Sequence, residues 1–99
     1  MTNRMPSIAW GAQVSPEFKA RVLQICADLG WPAAYASWLM ACIAFESGRT
    51  VSPRVRNPLS SATGLIQFME ATARGMGTTT AKLADMSAVE QLDWVERYF

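Results

Sequence analysis

Apolar residues recur at steps of three and four through the first half of the chain. Phe18, Val22, Leu23, Ile25, Cys26 and Leu29 follow helical spacing. Ser15-Pro16-Glu17 supplies the start of that helix: a capping hydroxyl, a proline suited to the first helical position, and an acid at the positive end of the dipole. Gly30 ends it. Pro32 permits a second start, and an almost wholly apolar run, W-L-M-A-C-I-A-F, leads to Glu46 and stops at Ser47-Gly48.

Residues 49–63 carry two prolines and many Ser, Thr and Asn, and are expected to form a long irregular connection. Loops of this length in compact domains are often functional. A third helix is expected from about Gly64 to Arg74, ended by Gly75 and Gly77. Thr79 or Thr80 can cap a short helix over Lys82–Asp85. Ser87-Ala88-Val89-Glu90 has the form of a capping box, opening a last helix with Val89, Leu92, Val95 and Tyr98 or Phe99 on one face. No segment alternates with period two for long enough to predict a strand. The fold class is therefore all-α: an irregular lead-in over 1–14, with Trp10 a candidate to pack back, then one domain over 15–99.

Composition narrows the function. The chain has 99 residues, 51% of them hydrophobic and 17% charged, enough for one domain with a modest core. A net charge of +1 argues against a nucleic-acid partner, and Arg49, Arg54 and Arg56 fall in the loop rather than along a helix. With no His and two Cys, a histidine-ligated metal and any His-based catalytic dyad are excluded, and neither metal nor cofactor is expected. Cys26 and Cys42 each fall inside a helical pattern and are read as buried thiols rather than a disulfide. Residues 1–10 lack the continuous apolar segment of a secretory signal. The run Trp31–Phe45 is 15 residues long and carries Pro32, Tyr35 and Ser37, so no integral membrane segment is expected.

Chemistry converges on two stretches. Leu39, Cys42, Ile43 and Glu46 are related by steps of three and four, so Glu46 is expected to continue the apolar face. It also falls in the last turn, where unpaired carbonyls make the helix end negative. Burial and that end would both disfavour the ionised carboxylate, as a general acid near neutral pH requires. A pair with Arg49, Arg54 or Arg56, or a solvated helix end, is the alternative. The second stretch is S-S-A-T-G-L-I-Q-F-M-E-A-T-A, residues 60–73. There Gly64 permits close backbone approach and Gln67 offers donors and acceptors among apolar neighbours, unless the segment is an ordinary amphipathic helix.

Taken in order, E-S-G at 46–48 and S-A-T-G-L-I-Q-F-M-x-A-T-A beginning at Ser61 resemble the lytic transglycosylases, a lysozyme-like family. The wording is similar to phage-encoded endolysin or tail-associated members. Glu46-Ser47 match the family's Glu-Ser at a helix end. Gly64-Leu65-Ile66-Gln67 match its G-L-M-Q-type motif, with Ile66 in the Met position and Glu70 where Pro is usual. The resemblance spans about residues 30–99.

It implies a lysozyme-like helical domain acting on peptidoglycan glycan strands. Glu46 would be the single catalytic acid/base that cleaves between N-acetylmuramic acid and N-acetylglucosamine to leave 1,6-anhydro ends. Ser47, Gln67 and Phe68 would form the substrate-binding set: Ser47 orienting Glu46 or the loop, Gln67 bonding the sugar, Phe68 offering an apolar face unless it packs in the core. It further implies action in the cell wall or periplasm, from a virion or after release. The family's later A-Y-N-x-G-like motif and Tyr do not occur before Phe99. The chain is therefore expected to supply the N-terminal portion of the fold, with a second chain or a C-terminal segment completing the cleft. A hydrolytic muramidase of the same fold, and a glycan-binding or structural module without catalysis, are the competing expectations.

Overall fold

A computed structural model describes residues 14–99. They form five helices, α1 (Pro16–Asp28), α2 (Tyr35–Glu46), α3 (Glu70–Gly75), α4 (Thr80–Ala84) and α5 (Ala88–Tyr98), with no strand among the described residues. The all-α expectation holds. The lead-in over 1–14, with Trp10, lies almost wholly outside the described residues. No helix among them is long and apolar enough to cross a membrane.

α1 begins where the sequence predicts. The Ser15 hydroxyl accepts from Phe18 N at 3.1 Å, and Pro16 occupies the first turn. It ends in a Schellman motif: Gly30 takes φ +73°, Gly30 N bonds Ala27 O, and Trp31 N bonds Cys26 O at 2.8 Å. α2 begins at Tyr35, later than Pro32. Residues 32–34 instead form single turns closed by Tyr35 N to Pro32 O and Ala36 N to Ala33 O, with no side chain capping the helix.

α1 packs against both α2 and α5. The core joins Phe18, Val22 and Ile25 of α1 to Leu39, Met40 and Ile43 of α2, closed by Leu65, Leu83 and Leu92. Arg21 ties α1 to α5 from the surface, donating to Asp93 (3.0 Å) and Glu96 (2.6 Å). Both cysteines are free, Cys26 buried and Cys42 half-buried.

The third helix departs from expectation. It runs Glu70–Gly75 rather than from Gly64, because residues 64–67 form a turn. Thr63 N bonds Phe68 O at 3.0 Å and Phe68 N bonds Thr63 O at 2.8 Å. This antiparallel pair is closed by Gly64 at φ +89° and Gln67 at φ +57°. Two left-handed residues cannot belong to a right-handed helix. Only after the turn does the Ser61 hydroxyl accept from Glu70 N at 3.0 Å, at the start of α3.

One side chain fixes this turn in the molecule. Gln91, near the start of α5, is 0% exposed. Its Oε1 accepts from Leu65 N at 2.7 Å, and its Nε2 donates to Pro53 O (3.0 Å) and Leu83 O (2.8 Å). A Cβ on residue 64 would stand 2.8 Å from Gln91 Nε2, so this turn needs glycine for space as well as for its φ. α5 itself opens with the expected capping box between Ser87 and Glu90.

Glu70 performs a similar junction at the surface. Its carboxylate accepts from the Thr80 hydroxyl (2.7 Å) and Thr80 N (3.0 Å), and pairs with Arg74. The Thr80 bonds above all, then Arg74, hold the Glu70 carboxyl below the usual carboxylate range.

Gln91→Leu is expected to lower unfolding stability in urea by about 2 kcal/mol, because the buried Leu65 N–H loses its acceptor and the part-buried Pro53 carbonyl its donor, while Leu83 O keeps its bond from Met86 N. For Glu70, the folded-state value lies below that of the unfolded chain. Its stabilisation is therefore complete above the ordinary glutamate value of about 4.3 and is lost as pH falls through the lower folded value. Glu70→Gln should lower the denaturation midpoint at pH 7 and flatten its decline between pH 5 and the acid limit; an unchanged acid slope would refute this assignment.

Candidate active-site groove

The end of α2 is built to hold Glu46 in one place. Glu46 is its last residue, Ser47 caps it, and Gly48 and Arg49 turn left-handed at φ +66° and +69°. Gly48 N bonds Phe45 O and Arg49 N bonds Ala44 O, a second Schellman motif. The Ser47 side chain is 1% exposed. Its hydroxyl donates to Ile43 O at 2.7 Å and accepts from Val51 N at 2.9 Å. Val51 itself sits at φ +49°, a costly conformation for a β-branched residue, and the Ser47 bond is what holds it there.

Glu46 departs from the sequence expectation of burial. It is exposed, and among the described residues no ion pair involves it, with Arg49, Arg54, Arg56 or any other cation. The helix divides differently from the stripe predicted. Ala36, Leu39, Met40, Ile43, Ala44 and Ser47 turn into the core. Trp38, Cys42 and Glu46, each four apart, form the next row and face a groove.

That groove encloses about 220 Å³ and is lined by Trp38, Cys42, Glu46, Ile66, Tyr98 and Phe99. Three elements meet there: the outer row of α2, the Gly64–Gln67 turn through Ile66, and the end of α5. The two motif stretches, sixteen residues apart, are thus brought together in space. Among the described residues Glu46 is the single acid in the lining, and its neighbours are aromatic, aliphatic or thiol. Burial, and then the nearby Glu46 carboxylate, push the Cys42 thiol above its ordinary value, so Cys42 lines the groove as an apolar thiol rather than a reactive thiolate.

The expected substrate-contacting residues act from behind this wall. Gln67 donates through Nε2 to Val55 O (3.2 Å) and Gly64 O (3.1 Å) and is absent from the groove lining. Ser47 spends its hydroxyl on Ile43 O and Val51 N and is absent from the groove lining. Phe68 is 2% exposed and meets the Tyr98 ring edge-on, at a centroid distance of 6.1 Å. It supports Tyr98 rather than presenting a face to a ligand. Sequence reasoning missed Trp38, Ile66, Tyr98 and Phe99 as lining residues. The step-of-four row Trp38–Cys42–Glu46 was a usable signal for the first of them.

Comparison with protein-family models, curated proteins and solved structures finds no match. Function therefore rests on the groove's own chemistry and on the motif resemblance.

Because the Ser47 hydroxyl serves the backbone, Ser47→Ala should cost about 1–2 kcal/mol of stability. Thermal or urea unfolding measures this. Any loss of saccharide affinity should disappear under conditions where the variant is fully folded; a persistent affinity loss would restore a direct contact.

Proposed function

We propose that this chain carries the acid/base centre of a peptidoglycan lytic transglycosylase. One observation bears most of the weight: a lone carboxyl, Glu46, at a rigid helix end, in a groove whose other walls are apolar and aromatic. The E-S-G and G-L-I-Q stretches that resemble the family are the ones whose elements meet at that groove.

Ordinary glycoside hydrolysis uses two carboxyl groups flanking the bond. A groove with one acid suits chemistry in which the substrate supplies the second functional group. In this reading protonated Glu46 gives its proton to the oxygen between N-acetylmuramic acid and N-acetylglucosamine. The C1–O bond breaks, and the acetamido oxygen of the muramic residue stabilises the positive charge at C1. The Glu46 carboxylate then takes the proton of the muramic 6-hydroxyl as that oxygen bonds C1. The product is a 1,6-anhydro end, Glu46 is again protonated, and no water is consumed.

The surrounding residues have defined parts. Tyr98, Phe99 and Trp38 flank the carboxyl with apolar surface, against which a bound strand would itself displace water from the bond. Ser47 and the left-handed residues after it fix the carboxyl's origin. Gln67 holds the turn that carries Ile66, and Phe68 backs Tyr98. The place of action is the bacterial wall, reached from a virion or after release.

Digestion of purified peptidoglycan tests this. Wild type should release muropeptides whose ends are lighter by one water than reducing ends. Glu46→Gln should lower the rate at least about 100-fold without loss of fold. Reducing ends of full mass would assign the groove to hydrolysis instead, and equal cleavage by both proteins would remove Glu46 from the chemistry.

A further inference from the structure

The described residues begin at a cavity. Val14, the first of them, lines a space of about 330 Å³ with Phe18 of α1, Val51 of the loop after Glu46, and Val89 of α5. The three valines are half-buried and pack against the core from its edge. Two helix starts frame the space, and their capping residues, Ser15 and Ser87, supply the only polar side chains of its lining among the described residues. Each hydroxyl already accepts one N–H at 3.1 Å, Ser15 from Phe18 N and Ser87 from Glu90 N. One lone pair remains on each oxygen. The lining therefore suits an apolar body that carries a single donor, and holds no group that would retain a charged ligand. An indole is a body of that kind.

The chain supplies one within reach. Trp10 precedes Val14 by four residues, a span of about 14 Å when fully extended. Residues 5–16 carry no charge, Arg4 and Glu17 being the nearest on either side, so burying this stretch desolvates no ion. So short a tether also gives the segment an effective concentration on the order of millimolar at the cavity, which favours it over a separate molecule. We infer that residues 8–13 turn back over the starts of α1 and α5 and seat the Trp10 indole in this cavity, against Val51 and Val89.

Val51 gives the seat its consequence. It holds φ +49° while its N–H donates to the Ser47 hydroxyl, directly after the helix end that carries Glu46. A ring packed on its side chain adds a second restraint to a residue whose backbone would otherwise relax. The lead-in thereby braces the loop behind Glu46 from a site outside the groove. This inference does not rest on the reaction proposed for Glu46.

Nuclear magnetic resonance on the full 99-residue chain tests it. With the valine methyls labelled, Overhauser contacts should join the Trp10 ring to Val51 and Val89. Trp10→Ala should speed amide exchange at Val51 about tenfold more than at Ile43, whose amide in the core of α2 reports global opening. Trp10→Phe should recover part of that change. Wild type without the ring-to-methyl contacts overturns the seat, whatever the variants do. Exchange at Val51 that follows Ile43 in Trp10→Ala overturns the brace. Contacts seen only between differently labelled copies in a mixed sample overturn both, by giving the cavity to a second copy of the chain.

Discussion

The side-chain amide of Gln91 is the constraint on which the second half of the molecule depends. It lies where water cannot reach, and all three of its bonds go to backbone: Leu65 in the turn, Pro53 in the loop and Leu83 in α4. A buried amide with its bonds made is specific in a way that apolar packing is not, because a shifted segment would leave polar groups unpaired. Residues 49–69 have little regular structure to define their path. Gln91 defines it by bonding two points of that path to a helix. Since α5 also ends in Tyr98 and Phe99, one helix holds the turn at its start and contributes a groove wall at its finish.

The other wall depends on α2, which is apolar on nearly every side. A helix of this kind normally sits in the middle of a larger core. Here one row faces the core and the adjacent row, Trp38, Cys42 and Glu46, is left open. The open row is where chemistry and aromatic surface coincide. The closing turn after Glu46 holds strained backbone at Val51, and strain of this sort persists only where the surroundings enforce it. The bond from Val51 N to the Ser47 hydroxyl is part of that enforcement.

Much of the helical frame was legible in the sequence. Ser15, Gly30, Gly48 and the Ser87–Glu90 box act locally, and local rules read them correctly. The boundaries failed where distant partners decide. Gly64–Phe68 has acceptable helical spacing, yet pairing between Thr63 and Phe68 and the Gln91 clamp outweigh it. Glu46 was placed on the buried stripe because spacing alone cannot separate two adjacent rows of an apolar helix. Which row is covered depends on α1 and α5, whose approach has no signature within α2. The aromatic lining where the two motif stretches meet was not read from the sequence, since large rings at helical spacing look the same in a core and at a surface.

Gln67 carries a separate lesson about what a motif records. Asparagine tolerates left-handed backbone better than most residues, but its side chain is shorter by one methylene. The longer amide reaches the carbonyls of both Val55 and Gly64 from one nitrogen. The spacing from Gly64 to Gln67 is therefore explained by architecture: a glycine that leaves room for Gln91 and a glutamine that knots the turn to its loop. Both demands would persist in a chain that had lost its acid. A likeness carried by G-L-I-Q therefore reports how the turn is built, and Glu46, which takes no part in that construction, could be exchanged without erasing it.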